Sequence, residues 1–247
     1  MLSVDAQRRY ARQLMLPQFG EHAHQRFQSA RVAIIGAGGL GSAAATYLAM
    51  AGVGHLTVID SDRVELSNLN RQILHEQGDI GRLKVESAAD RLSELRHDIS
   101  LALRAETLVE ENAMSLLQGH DVVADGCDNF ATRFAVNAAC VQLGTPLVSA
   151  AIAGLHGQVA SFAPRLHAHT PCYACLVHPD APEANTCRES GVIGPLAGII
   201  GSMQALEILW WLAGTPKLVG KLARFDGEGF TQTISTIPRD EVCRVCG

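Results

Sequence analysis

Along the first two thirds of the chain, short and nearly unbroken apolar runs alternate with longer stretches whose apolar residues recur at helical spacing. The first pattern belongs to strands buried on both faces, the second to helices that cover them. Residues 31–35, 56–60, 99–103, 121–124 and 146–151 read as strands, and residues 40–51, 82–96, 109–117 and 129–143 as the helices between them. This β-α-β-α-β-α-β-α-β order predicts a Rossmann-like, doubly wound, mostly parallel sheet. Ahead of it, residues 3–16 read as an amphipathic helix with Tyr10, Leu14 and Met15 on its apolar face, stopped by Pro17, and a short helix follows over 21–28.

From Gly157 the pattern changes. Residues 158–162 and 221–225 read as short strands, and 230–237 alternate as an exposed antiparallel strand does. The run 192–214 is apolar enough to suggest a membrane span, but Gln204 and Glu207 sit three apart near its middle. A buried helix at a subunit interface fits better, since a span seldom carries an unpaired carboxylate. No internal repeat or low-complexity tract interrupts the pattern.

With 247 residues, 47% of them hydrophobic, the chain has material for one α/β domain. The expected division is N-terminal helices over 1–30, a nucleotide-binding half over 31–155 and a second half over 156–247. A net charge of −5 and a pI near 6.0 argue against a nucleic-acid partner. The N-terminus is charged and lacks an apolar core of signal length, so the expected compartment is the cytoplasm, with no membrane partner. Seven cysteines in a reducing compartment point to metal binding or catalysis rather than to disulfides.

The chemistry begins where the first strand breaks into glycines. Gly36, Gly38, Gly39 and Gly41 follow it directly and open a helix, the arrangement that lets backbone approach a phosphate at a helix N-terminus. Asp60 falls 24 positions after Gly36 at the next strand end, where an acid accepts from ribose hydroxyls; a turn-forming Asp is the alternative. No GxxxxGK[ST] sequence is present, so phosphates must find cations elsewhere. Asn68 and Arg71, in the polar loop 61–72, and Lys84, in the first turn of a helix where a cation is disfavoured unless it faces an anion, are placed to supply contacts. Asp128 follows another strand and suits Mg²⁺ beside a triphosphate. Solvated surface cations and a helix N-cap are the plainer alternatives for these residues. An NAD-dependent oxidoreductase would use the glycine turn and Asp60 equally well, but has no use for Arg71, Lys84 and Asp128 together.

Two CxxC pairs, Cys172/Cys175 and Cys243/Cys246, match a closed tetrahedral zinc site that ties the C-terminal segment to a distant loop; four buried free thiols and thioredoxin-like redox chemistry are the alternatives. Cys187, beside Arg188 in a stretch rich in proline and small polar residues, is either a nucleophile or a passive thiol. Cys127 and Cys140 read as buried packing residues.

Taken together, Arg9-Tyr10-Ala11-Arg12-Gln13, the Gly36 to Gly41 turn, Asp60, Ser67-Asn68-Leu69-Asn70-Arg71-Gln72, Lys84, Asp128-Asn129, both CxxC pairs and Asn185-Thr186-Cys187-Arg188 resemble the ThiF/MoeB family, relatives of ubiquitin-activating enzymes, over essentially the whole chain. The resemblance implies an adenylyltransferase that uses ATP and Mg²⁺ to activate the C-terminal Gly-Gly carboxylate of a ubiquitin-like sulfur-carrier protein, giving an acyl-adenylate and pyrophosphate on the way to a thiocarboxylate. It implies that Arg71 and Lys84 contact phosphates, Asn68 orients them, Asp60 binds ribose and Asp128 holds Mg²⁺. Arg12 would reach the nucleotide of the other protomer in a homodimer, and Cys187 would act in later acyl transfer or sulfur relay. No rhodanese segment follows Gly247, so a separate sulfur donor such as a cysteine desulfurase or rhodanese is expected. Asp125-Gly126-Cys127-Asp128 departs from the more usual Asp-Cys-Thr-Asp. The stretches 187–195 and 222–227 look more like the thiamine branch, ThiF, than the molybdopterin branch, MoeB.

Overall fold

The computed structural model describes residues 2–178 and 191–247. Three short helices come first: α1 (Val4–Arg9), α2 (Ala11–Leu14) and α3 (Glu21–Ser29). The single helix expected over 3–16 is broken at Tyr10, whose ring turns inward against the His24 ring, 4.1 Å between centroids. Burying that ring outweighs one unbroken run of helical bonds. Pro17 does more than stop the segment, because it opens a 3-10 turn over Pro17–Phe19 at the position where a missing N–H costs nothing.

The doubly wound part follows as β1 (Arg31–Ile35), α4 (Gly39–Ala51), β2 (His55–Ile59), α5 (Lys84–Leu95), β3 (Ser100–Arg104), α6 (Glu110–Leu117), β4 (Val122–Asp125), α7 (Phe130–Leu143) and β5 (Leu147–Ala153). Next come β6 (His156–Phe162), the one-turn α8 (Tyr173–Leu176), the long α9 (Gly194–Leu212), β7 (Lys221–Asp226) and β8 (Thr231–Thr236). Apart from the divided helix over 3–16, every expected strand and helix is present, with ends moved by a residue or two.

Among the described residues the strands form one eight-stranded sheet in the order β3-β2-β1-β4-β5-β6-β7-β8. β1 to β5 pair in parallel, and β6, β7 and β8 add antiparallel strands at one side. Alternation along β1 explains the two layers. Val32 and Ile34 face a core shared with α4 and α9, while Ala33 and Ile35 face a second core beneath α6 and α7. The topology turns around between β1 and β4, both parallel neighbours from opposite halves of the winding, and ligands bind beyond the carboxyl ends of strands at such a point.

The helix α9 lies across the sheet with Gln204 and Glu207 fully inward. Gln204 Nε2 donates to the carbonyls of Asp125 at 2.9 Å and Val148 at 2.8 Å. Glu207 accepts from the backbone N–H groups of Lys217 and Leu218 at 3.1 and 2.9 Å. Glu207 is thus satisfied within the fold, whereas Gln204 is satisfied through its amide nitrogen, its Oε1 having no hydrogen-bond partner among the described residues. Its other side exposes Leu206, and with Tyr47 and Met50 of α4 this lines an apolar groove of about 320 Å³.

Candidate functional site

Just past β1, Gly36 has φ +87°, a left-handed backbone that side chains rarely adopt, and its N–H reaches Ile59 O at 2.9 Å. Five residues later α4 runs so close beneath the turn that a Cβ on Gly41 would lie 1.8 Å from Gly36 O. Gly38 caps α4 and Gly39 is its first residue, so the open N–H groups of this helix face outward at the end of the sheet.

Two buried side chains hold the turn from below. Asp60 Oδ2 accepts the Ala37 N–H at 2.7 Å and Oδ1 that of Asp62 at 2.8 Å. On the carbonyl side of the same residue, His75 Nε2 lies 3.0 Å from Ala37 O, and its Nδ1 lies 2.8 Å from the Ser87 hydroxyl, which donates to Asp79 at 2.7 Å. Burial pulls the His75 pKa below its ordinary value, favouring the neutral ring. Ala37 O can only accept, which places the ring proton on Nε2.

This turn is one wall of a cleft of about 710 Å³. Asn68, Arg71, Lys84 and Asp128 all line it, together with Gly36, Gly38, Gly39 and Asp60. The sequence carries Asn68 and Arg71 on one loop, Lys84 in the first turn of a helix and Asp128 after a later strand, and the fold brings them to one crevice. Asn68 shapes its own loop, with Oδ1 accepting the Glu65 N–H at 3.0 Å. Arg71 lies over the helix start, its Cγ 3.4 Å from where a Cβ on Gly39 would be, and its Nη1 donates to Ser67 O and Asn70 Oδ1, both at 2.9 Å. The buried Lys84 has the anion its position called for. That anion belongs to the protein, since Nζ pairs with Asp62 at 2.8 Å and lies 3.8 Å from Asp60.

Asp128 follows β4 on an exposed turn, and the residue that caps α7 is its neighbour Asn129, whose Oδ1 accepts the Thr132 N–H at 2.8 Å. Arg12 is exposed on α2 and does not line this chain's cleft. Cys187 lies outside the described residues. Cys140 is buried as expected, whereas Cys127 is half-buried in the cleft wall. Asp125 Oδ1 accepts the Cys127 N–H at 3.1 Å and so fixes its backbone at the cleft rather than in the core. Desolvation and the Asp125 carboxylate push the Cys127 thiol well above its ordinary pKa, so it stays a thiol.

Sequence reading missed three members of the site. Asp62 is the close partner of Lys84, and Arg133 of α7 lines the cleft while bonded to Asp125. Gln72 is 4% exposed in the cleft wall, with Oε1 lacking a hydrogen-bond partner among the described residues. Gln72 had a signal, its place two residues after the loop's Asn70; the other two depend on where distant segments cross.

Away from the cleft, the ligand atoms of Cys172, Cys175, Cys243 and Cys246 all lie within 4.8 Å of one another. Sulfurs about 2.3 Å from a tetrahedral zinc would stand about 3.8 Å apart. The Sγ atoms of Cys172 and Cys243 are 3.8 Å apart and those of Cys175 and Cys246 3.6 Å, too far for disulfides and close to that spacing. These four residues fit a zinc ion.

The chain is 43% identical over 244 residues to the sulfur carrier protein adenylyltransferase of Thermus thermophilus, covering 97% of this chain and 90% of that one. It is 40% identical over 243 residues to the adenylyltransferase and sulfurtransferase MOCS3 of Caenorhabditis briggsae, covering 97% of this chain but only 60% of the relative's length. The crystal structure of E. coli MccB superposes with a TM-score of 0.84 at 22% identity, covering 97% of this chain and 72% of that one, a likeness of fold. The family model described as the ThiF family matches residues 10–245, so the match runs from the buried Tyr10 through the whole cleft and into the last cysteine pair; the chain belongs to the ThiF family.

Proposed function

We propose that this chain is an ATP-dependent adenylyltransferase acting on the C-terminal Gly-Gly carboxylate of a ubiquitin-like sulfur-carrier protein. The observation that carries the reading is the meeting of Arg71, Lys84 and Asp128 with the glycine turn in one cleft. The Thermus thermophilus relative is named for this activity. A carrier carboxylate oxygen attacks the α-phosphorus of ATP, the bond from that phosphorus to the bridging oxygen breaks, and pyrophosphate leaves.

In this reading the outward N–H groups at the start of α4 receive phosphate oxygens. Negative charge that builds on the transferring phosphoryl group and on pyrophosphate is met by Arg71 and by Lys84, which exchanges part of its pairing with Asp62 for phosphate. Asn68 keeps the 61–72 loop in shape beside them. Each oxygen of Asp60 accepts one backbone N–H and has a further lone pair for a ribose hydroxyl. Asp128 would hold Mg²⁺, which when bound neutralises phosphate charge. Zinc at the four cysteines would be structural, its coordination closed by protein sulfur.

The exposed apolar groove between α4 and α9 supports a homodimer, and Arg12, on the helix next to Gln13 of that groove, would then serve the partner's cleft. Sulfur would come from a separate donor such as a cysteine desulfurase or rhodanese. Two pathways suit the carrier: thiamine thiazole assembly, which the 187–195 and 222–227 stretches favour, and molybdopterin assembly, toward which the MOCS3 relatives lean. Incubation with ATP, Mg²⁺ and purified Gly-Gly carriers of each pathway tests both levels. Pyrophosphate release with one carrier, lowered roughly 100-fold or more in Arg71→Ala and Asp128→Ala, is expected. Wild-type turnover in those variants would overturn the site, and tight NAD binding without ATP binding would overturn the reaction.

A further inference from the structure

Three polar side chains of α7 and its cap, Asn129, Arg133 and Asn137, are spaced four apart and so stand above one another on one helix face. This stripe runs from the cleft to the cysteine cluster. At its start, Asn129 caps the helix directly after Asp128. One turn on, the buried Arg133 donates to Asp125 Oδ2 at 3.0 Å, to Ser149 Oγ and Ala150 O at 2.8 Å, and to Cys127 O. It therefore grips the turn between β4 and α7 on both sides of Gly126, immediately before Asp128. The same guanidinium lies 6.0 Å from the centre of the Tyr173 ring, within cation–π reach.

A further turn along, Asn137 is 1% exposed and spans the first cysteine knuckle. Its Oδ1 accepts the Tyr173 N–H at 2.9 Å, and its Nδ2 lies 3.6 Å from Cys172 Sγ. The amide orientation follows from the chemistry, because only the oxygen can accept from a backbone N–H. The NH₂ group must then face the sulfur, where it suits a thiolate ligand. Tyr173 thus sits inside the knuckle, held by Asn137 at its backbone and touching Arg133 with its ring.

We propose that Asn137 and Arg133 are positioning residues that couple the four-cysteine centre to the Asp128 turn, so that occupancy of the metal site sets the affinity of the cleft for Mg·ATP. The inference rests on reading the cysteines as a zinc site and the cleft as an Mg·ATP site. A metal ion fixes the Cys172–Tyr173–Cys175 knuckle relative to the C-terminal pair. Asn137 then orients the second turn of α7 against that knuckle, Tyr173 backs the Arg133 guanidinium, and Arg133 holds the turn that presents Asp128. No atom of the knuckle needs to approach the nucleotide.

The test uses the full chain and two binding measurements, neither of which needs turnover: Zn²⁺ affinity by chelator competition, and Mg·ATP affinity by calorimetry with and without zinc. Asn137→Asp keeps an acceptor for the Tyr173 N–H but turns an oxygen toward the sulfur. It should weaken zinc binding roughly 10- to 100-fold, the range for lost outer-shell partners, and shift the thiolate-to-metal charge-transfer band of the Co²⁺-loaded protein. Zinc removal should weaken Mg·ATP binding by roughly tenfold in the wild type and leave Arg133→Met, already weakened, unchanged. If Arg133→Met does not fold, Arg133→Lys gives the same comparison, because one ammonium cannot bridge Asp125 and Cys127 as the guanidinium does. A wild-type chain that takes up no zinc or no Mg·ATP overturns the underlying reading and the inference with it. A wild-type chain that binds both, but binds Mg·ATP equally with and without zinc, overturns the coupling alone, as does Asn137→Asp with unchanged zinc affinity and spectrum.

Discussion

Ala37 has no side chain that could reach a nucleotide, yet its two backbone groups decide whether the phosphate turn keeps its shape. Asp60 takes the N–H and His75 takes the carbonyl. The His75 pKa lies below its ordinary value, with burial the largest cause, so the unfolded chain binds the imidazole proton more readily than the folded one. The stability tied to this residue is complete above the unfolded value of about 6.5 and is lost as pH falls through the lower folded value. Asp79, in the same chain of bonds, stays ionised across that window. Burial alone would raise it, but bonds from the Glu76 N–H, the Ser87 hydroxyl and Arg82 outweigh burial and hold it below the usual carboxylate range. His24 and His120 are also lowered, chiefly by burial, so the loss is shared. Thermal unfolding measured from pH 7.5 to 5 should show a falling midpoint. His75→Gln, which keeps a donor toward Ala37 O, should flatten the fall by roughly 2–4 °C for each kcal/mol of proton linkage removed.

At the scale of elements, α9 is where the apolar pattern and the folded chain say different things about the same residues. Its run of apolar positions marks a buried helix, and the fold agrees, but nothing in the spacing of Glu207 reveals that it closes the loop before β7 by accepting two backbone N–H groups. Glu207→Leu should cost about 2 kcal/mol or more by leaving those donors unsatisfied, and Glu207→Gln less, as read from urea unfolding. The strands, the glycine turn and the cysteine pairs were legible because each is written in neighbouring residues. Periodicity, a tight turn and CxxC spacing are local properties. The partners of Lys84 and Arg133 were not legible, since Asp62 meets Lys84 only after the chain has crossed back over 22 residues, and Arg133 reaches Ser149 only once β5 has paired with β4. Tyr10 broke its predicted helix for the same reason, because its aromatic partner comes from α3.

For the whole molecule, the apolar face of α4 and α9 is left uncovered by the described residues. Leu206 is 50% exposed and Tyr47 51%. Leu206→Glu should convert a homodimer to monomer in sedimentation velocity. If Arg12 works across the interface, the same variant should lose turnover while still binding Mg·ATP in its own cleft. A variant that stays dimeric would remove this face from the interface.

The sheet order has a further effect, on the route by which the chain folds. The cleft lies between β1 and β4, and its walls come from segments around residues 36–40, 60–72, 84, 106–108 and 126–133. The first four belong to the half built on β1, β2 and β3, but 126–133 joins them only once β4 has paired with β1, so the complete site is among the last parts to exist during folding. A nucleotide therefore has no complete site to hold in the early intermediates. It should act on the escape rate of the finished protein, slowing unfolding while leaving the refolding rate untouched.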